Sequence, residues 1–108
     1  MSTQTAAPAP PALDPALVAT FRTLAAEWHD ATRFLSGGAE AHPAYRAIIA
    51  LGPAVVPVIL AQMAVDRDWY MTALEELTGE NPVPSKHHGR LRLMTEDWLA
   101  WGRARGLV

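Results

Sequence analysis

The sequence contains no cysteine among its 108 residues. This absence excludes a disulfide framework, a thiolate zinc site and a cysteine nucleophile. The first residues, MSTQTAAPAPPAL, also lack the basic start and the continuous apolar run of a secretory signal peptide. From these two features we expect a protein of the reducing cytoplasm.

Long apolar runs and an excess of charge of one sign are missing as well. The longest apolar run, from Pro53 to Ala61, is far shorter than the roughly 20 residues that a membrane-spanning helix needs. Nine basic and eleven acidic side chains leave a formal net charge of -2, which provides no general field for phosphate groups. The sequence therefore predicts no membrane role and gives nucleic-acid binding little support.

The sequence also has no segment in which polar and β-branched apolar residues alternate, which is the pattern of a half-buried strand. Half of the residues are hydrophobic and 19% are charged, as in an ordinary globular domain. We therefore predict an all-α fold, a compact bundle of about five helices formed by residues 14–108. Residues 1–13 are predicted to be a disordered Pro/Ala-rich tail, because they offer too little apolar surface to offset the entropy of ordering.

Apolar residues at helical spacing locate the first helix. Asp14-Pro15 is a start signal, since an aspartate accepts hydrogen bonds from free amides and proline fits the first turn. An apolar stripe follows, and Ser36-Gly37-Gly38 is predicted to end the helix. The stripe consists of Leu17, Phe21, Leu24, Trp28, Ala31 and Leu35.

Proline and glycine residues mark the boundaries of the other predicted helices. The other predicted helices run from His42-Pro43 to Gly52, from Gly52-Pro53 through Met63, from Trp69 to Gly79, and from about Gly89 to Arg105. Asp68 is the predicted cap of the fourth helix. The segment 80–85 is predicted to be a loop, because its two prolines prevent a regular helix.

The run AIIALGPAVVPVILAQM, from Ala47 to Met63, resembles a HEAT-type repeat. Gly52-Pro53 matches the tight turn between the paired helices of such a repeat. Residues 21–106 are also similar to a family of short bacterial proteins of uncharacterised function, through segments such as HPAYRAIIALGPAVVPVIL, LTGENPVP and WLAWGRARG. The resemblance implies a HEAT-like hairpin within the bundle and a protein-binding role, and it brings no catalytic motif.

Histidines and carboxylates are the residues from which a reactive site would be built. None of the histidines forms the paired i,i+4 motif of a metal site, so we predict solvated loop positions, or an imidazole cap at His42. Adjacent carboxylates such as Glu75 and Glu76 diverge around a helix and do not face one cleft. The sequence therefore predicts no catalytic residue, no metal and no cofactor. The histidines are His29, His42, His87 and His88.

The densest polar grouping lies near the end of the first helix. Glu27, Asp30 and Arg33 are three residues apart, which favours ion pairing on a solvated face. Thr32 and Ser36 are four apart and are expected to hydrogen-bond a neighbouring loop. Combined with the end of the last helix, this grouping is our candidate interaction surface, which comprises Glu27, His29, Asp30, Arg33, Trp101, Arg103 and Arg105.

The sequence is rich in tryptophan, with four in 108 residues. Trp28, Trp69, Trp98 and Trp101 are all expected in the core, because aromatic residues bury large areas in small domains. The alternative leaves Trp98 or Trp101 exposed as the anchor of a partner.

The sequence leaves three functions open. We expect a non-enzymatic protein–protein interaction module, whose size fits an accessory or antitoxin-like subunit of a bacterial two-gene system with its partner encoded by a neighbouring gene. The first alternative is a nucleic-acid-binding protein that uses Arg90, Arg92, Arg103 and Arg105 with stacking on Trp101. The second is a small enzyme or metal-binding protein that uses His29 or His87.

Overall fold

The computed structural model describes residues 12–35 and 37–108. Within them the chain forms five α-helices joined by loops and short 3-10 turns, and no strand, which confirms the predicted all-α bundle. The helices are α1 (Pro15–Thr32), α2 (Pro43–Ala50), α3 (Val56–Val65), α4 (Met71–Thr78) and α5 (Leu91–Ala104). The 3-10 turns are Ala39–Ala41, Pro53–Val55 and Ser85–His87. The predicted tail up to Pro11 lies outside the described residues.

Helix α1 begins where the sequence predicts and ends earlier. The Asp14 carboxylate accepts a hydrogen bond of 3.0 Å from the amide of Ala16. The helix ends at Thr32, so the extension of the apolar stripe to Leu35 is wrong, and Leu35 lies 55% exposed beyond the helix. Beyond the helix the chain turns back. The indole N–H of Trp28 donates a hydrogen bond of 2.9 Å to the carbonyl of Ala39, which holds the 3-10 turn Ala39–Ala41 against α1.

The chain turns a corner between α2 and α3. The His42 ring accepts a hydrogen bond of 3.0 Å from the amide of Ala44, which confirms the predicted imidazole cap of α2. Gly52 has a φ of 87°, a conformation that favours glycine, and the segment Pro53–Val65 leaves α2 at an angle of 100°. No single described helix is long and apolar enough to cross a membrane, although α2 and Pro53–Val65 together meet those criteria across their bend.

The start of α4 is capped by a residue from another helix. The hydroxyl of Tyr45, on α2, accepts a hydrogen bond of 3.0 Å from the amide of Ala73 and donates one of 3.1 Å to the carbonyl of Trp69. Burial raises the pKa of Tyr45, so this hydroxyl stays protonated and can fill both roles. The prediction that Asp68 caps α4 is wrong. One of its carboxylate oxygens accepts from the amide of Trp69, and the other contacts the His29 ring.

The core is one apolar cluster with an aromatic centre. The rings of Trp28, Tyr45 and Tyr70 pack together, with centroids 4.9 Å apart for Trp28 and Tyr45, 5.4 Å for Trp28 and Tyr70, and 6.4 Å for Tyr45 and Tyr70. The other large buried side chains of the cluster include Phe21, Ile48, Ile59, Leu60, Met63, Leu74 and Trp98. Helix α1 therefore packs chiefly on α2, whereas α5 packs chiefly on α3.

Helix α5 approaches α3 closely at Gly102. A Cβ atom placed on Gly102 would lie 2.7 Å from Cδ1 of the buried Leu60 and 2.9 Å from Cγ1 of Val108. A larger side chain must displace the ends of these two side chains, of which Leu60 is fully buried and Val108 only partly. Glycine therefore favours the close approach of the two helices.

We predict that Tyr45→Phe lowers the free energy of unfolding by about 1–3 kcal/mol, because the amide of Ala73 loses its acceptor while the ring packing is kept. Tyr70→Phe is the matched control. Its ring is equally buried, yet its hydroxyl takes part in none of the hydrogen bonds between the described residues, so a loss below about 0.5 kcal/mol is expected. Urea unfolding measures both, and equal losses would contradict the capping role of Tyr45.

We also predict that Gly102→Val lowers the free energy of unfolding by about 1–3 kcal/mol through overpacking against Leu60. Ala100→Val introduces the same side chain at an exposed position of the same helix, where only the lower helix propensity of valine relative to alanine opposes it, and should cost less than about 1 kcal/mol. Thermal unfolding of the two variants measures the difference. A Gly102→Val protein no less stable than the Ala100→Val protein would show that the close approach is unimportant.

Candidate functional site

A groove lies where the end of α1 meets two loops. Its cavity of about 450 Å³ is bounded by Trp28 and Leu35 on one side, by the 3-10 turn Ala39–Ala41, and by Asp68 and Trp69 on the other side. We call it the α1–Trp69 groove. Of the seven residues of the predicted interaction surface, His29 and Arg33 line it.

One wall of the groove is fixed by Trp28. This tryptophan is buried in the aromatic core, and its indole N–H reaches out to donate to the carbonyl of Ala39. The 3-10 turn behind that carbonyl closes through bonds of 3.1 Å from the amides of Ala41 and His42. A buried side chain thereby sets the position of an exposed loop.

The opposite wall is fixed by Tyr45 and Asp68. The Tyr45 hydroxyl holds the carbonyl of Trp69, and a carboxylate oxygen of Asp68 accepts from its amide at 2.8 Å. The second oxygen of Asp68 contacts the His29 ring, which connects this wall to α1 across the groove. Both polar groups of the Trp69 backbone are therefore held before any ligand arrives.

The groove is bordered by exposed apolar side chains. Trp69 is 43% exposed, so its predicted place in the core is wrong. The physical reason is that α4 begins at Met71, which directs Tyr70 rather than Trp69 into the core. Phe34 is 93% exposed just beyond α1, next to Leu35. Large apolar residues exposed together are characteristic of interaction surfaces.

The polar residues at the end of α1 behave largely as solvated helix residues. Arg33 and Asp30 form an ion pair of 2.7 Å, which confirms the predicted pairing, and Glu27 is exposed. The hydroxyl of Thr32 donates to the carbonyl of Trp28 at 2.6 Å, so its predicted bond to a neighbouring loop is wrong. Ser36, its predicted companion, lies outside the described residues.

Glu40 is a groove residue that the sequence did not single out. It lies in the 3-10 turn that lines the groove together with Trp69, is half-buried, and forms no ion pair within the described residues. The sequence signal was weak, since an isolated glutamate in the loop GGAEAHP resembles any solvated loop residue. Trp69 carried a better signal, because it directly follows the polar segment Asp66-Arg67-Asp68.

The second half of the predicted surface has a different character. Trp101 is only 9% exposed, and its indole N–H donates to Glu80 at 3.2 Å. The guanidinium of Arg105 lies 4.4 Å from the centre of the Trp101 ring and donates to the same Glu80 at 2.8 Å. Arg103 is exposed nearby. Trp101 therefore cannot offer an open ring to a nucleic-acid base.

The histidines are more engaged than the sequence suggested. His87, predicted to be a solvated loop residue, is partly buried and lies 2.6 Å from a carboxylate oxygen of Asp97 on α5. This contact fastens the loop after α4 to the last helix. Within the described residues no three histidine or carboxylate side chains are placed to hold a metal ion.

The adjacent carboxylates Glu75 and Glu76 of α4 have different surroundings. Glu76 forms a two-point ion pair with Arg46 of α2, at 2.7 and 2.8 Å, whereas Glu75 is exposed. Glu80, in the loop after α4, accepts hydrogen bonds from Trp101 and Arg105. The hydrogen bond and charge of Arg46 lower the pKa of Glu76, and those of Glu76 raise the pKa of Arg46. The pair's contribution to stability is therefore present above the usual pKa of a glutamate and is lost as the pH falls through the lowered value.

Cavities also lie between other helices of the described chain. One of about 590 Å³ lies between α3 and α5, where Asp66 and Arg67 face the ion pair of Arg92 and Glu96 at 3.0 Å. Another of about 150 Å³ lies between α1 and α3. Neither is lined by an exposed aromatic residue, so the α1–Trp69 groove is the candidate site of the described chain.

Comparison of the chain with protein-family models, curated proteins and solved structures finds no match. The HEAT-type resemblance therefore stays a prediction from the sequence. The candidate site depends on the geometry alone.

We predict that Trp28→Phe loosens the wall of the groove at the 3-10 turn. Amide hydrogen exchange at Ala41 and His42 should become about fivefold to tenfold faster, because the turn loses its bond to the indole. Trp98→Phe is the control, since it removes a similar volume from the core while its indole N–H has no acceptor among the described residues. Unchanged exchange at both amides in Trp28→Phe would contradict this role of the indole.

Proposed function

We propose that this protein is a non-enzymatic protein–protein interaction module that docks its partner at the α1–Trp69 groove. The observation that supports this most is the exposure of Trp69 at the edge of a cavity whose walls are already held by hydrogen bonds. Tryptophan is among the residues most enriched at the energetic centres of interfaces. Leaving its apolar ring surface in water is unfavourable in free energy, and a partner that covers the ring removes this cost.

Preorganisation strengthens this proposal. A partner that binds a fixed wall does not have to order it, so less of the interaction free energy is lost on binding. Leu35 adds apolar area to the same groove as Trp69, and Arg33, paired with Asp30, provides a polar border. An apolar centre with a polar rim is the usual anatomy of a protein interface.

The setting that we propose is the one expected from the sequence. A chain of 108 residues fits a small cytoplasmic accessory or antitoxin-like subunit of a bacterial two-gene system, whose partner is encoded by the neighbouring gene. The HEAT-type resemblance also implies protein binding. The nucleic-acid alternative has less support, because Trp101 is covered by Arg105 and two of its four arginines, Arg92 and Arg105, are paired with glutamates.

The proposal predicts that Trp69→Ser strongly reduces capture of a specific partner. Tagged wild-type protein and variants would be incubated with extract of the source organism, and captured proteins identified by mass spectrometry. Val65→Ser is the matched control, since Val65 is an exposed apolar residue at the end of α3 that does not line the groove. We expect wild type and Val65→Ser to capture the same protein, and Trp69→Ser to lose at least about tenfold of it.

Thermal unfolding of all three proteins must show that Trp69→Ser remains folded. A partner retained equally by Trp69→Ser would show that docking occurs elsewhere. A wild-type monomer that captures nothing beyond the untagged background would contradict the interaction role itself.

A further inference from the structure

The charges and the aromatic ring of the groove indicate what kind of partner side chain it accepts. Resting on the proposed function, we propose that the α1–Trp69 groove binds a protein segment that presents an arginine beside an apolar residue. The guanidinium would lie against the Trp69 ring and pair with the Glu40 carboxylate, and the apolar residue would contact Leu35. Both Trp69 and Glu40 line the same cavity.

The first argument is the charge of the groove lining. Its two carboxylates belong to Glu40 and Asp68, and its one guanidinium belongs to Arg33. Arg33 is already paired with Asp30, at 2.7 Å, outside the cavity lining. Carboxylates thus outnumber guanidinium groups in the lining, and a basic side chain is their electrostatic complement.

The second argument is that the two carboxylates are engaged to different degrees. Both oxygens of Asp68 have partners, the amide of Trp69 and the ring of His29. Glu40 is half-buried and has no ion pair within the described residues. A half-buried carboxylate gains more from a cationic partner than a fully solvated one does, because screening by water is weaker there.

The third argument comes from the other end of the same molecule. There the guanidinium of Arg105 lies over the Trp101 ring and donates to Glu80, so that a tryptophan and a glutamate hold one arginine between them. The groove is lined by the same two residue types, Trp69 and Glu40. A planar guanidinium combines ring stacking with paired hydrogen bonds, which a lysine ammonium does not.

Three short peptides test the proposal against the full-length, ¹⁵N-labelled protein by NMR titration. The probes are acetyl-Leu-X-Leu-amide with X as arginine, as citrulline, which is its neutral isostere, or as norleucine. We expect the arginine peptide to shift the indole N–H signal of Trp69 and the amide signal of Glu40. Its affinity should exceed that of the citrulline peptide by about fivefold, the effect of one partly screened charge pair with ring stacking.

Two variants test whether the Glu40 carboxylate causes the preference for the arginine peptide. Glu40→Gln should reduce the affinity for the arginine peptide by about threefold to fivefold and leave that for the citrulline peptide unchanged. Glu75→Gln, which removes an exposed carboxylate of α4 outside the groove, should change neither affinity. Thermal unfolding of each variant shows that the comparison is made between folded proteins.

The other outcomes overturn the proposal in distinguishable ways. Equal binding of all three peptides at the groove would refute the arginine preference while leaving the groove as a docking site. Shifts that appear only away from the groove, or no shift with any peptide at millimolar concentration, would refute this ligand class, and the capture experiment would then judge the proposed function separately. Groove signals that move with protein concentration alone would show that a second copy of the chain covers it.

Discussion

The hydroxyl group of Tyr45 is the interaction on which the arrangement of the helices depends. The ring that carries this hydroxyl packs with Trp28 and Tyr70 in the core, and the hydroxyl donates to the carbonyl of Trp69 and accepts from the amide of Ala73. The first turn of a helix has amides without acceptors, and α4 has no side chain of its own at the cap position to satisfy them. One hydroxyl on α2 therefore fixes where α4 starts and how it is oriented on the core.

The candidate site follows from that constraint. Because α4 starts at Met71, Trp69 stays outside the helix, and its backbone is held by Tyr45 and Asp68 while its ring remains partly exposed. The facing wall is held in the same manner, by the bond from the indole of Trp28 to the carbonyl of Ala39. Buried aromatic side chains with one polar atom each thus convert core packing into a defined surface groove.

The two ends of the molecule use similar residues differently. At the end of α5, Arg105 covers Trp101 and satisfies Glu80, so this end is closed by its own side chains. At the end of α1, Arg33 pairs with Asp30, and Trp69 and Glu40 face the cavity. The sequence placed a candidate surface at both ends, because spacing identifies which residues share a helix face but not which of them find partners across the fold.

The sequence by itself determined the helical class, the start of α1 at Asp14-Pro15, the cap at His42 and the turns at Gly52 and Gly79, because these depend on local propensity and on contacts within a few residues. Only the tertiary structure decided that α1 ends at Thr32, that Trp69 is exposed, and that Glu40 belongs to the groove. Each of these depends on a hydrogen bond or a contact between residues far apart in the chain, such as Tyr45 with Trp69 or Trp28 with Ala39. Spacing along one helix carries no information about such partners, since they are chosen by how the helices pack.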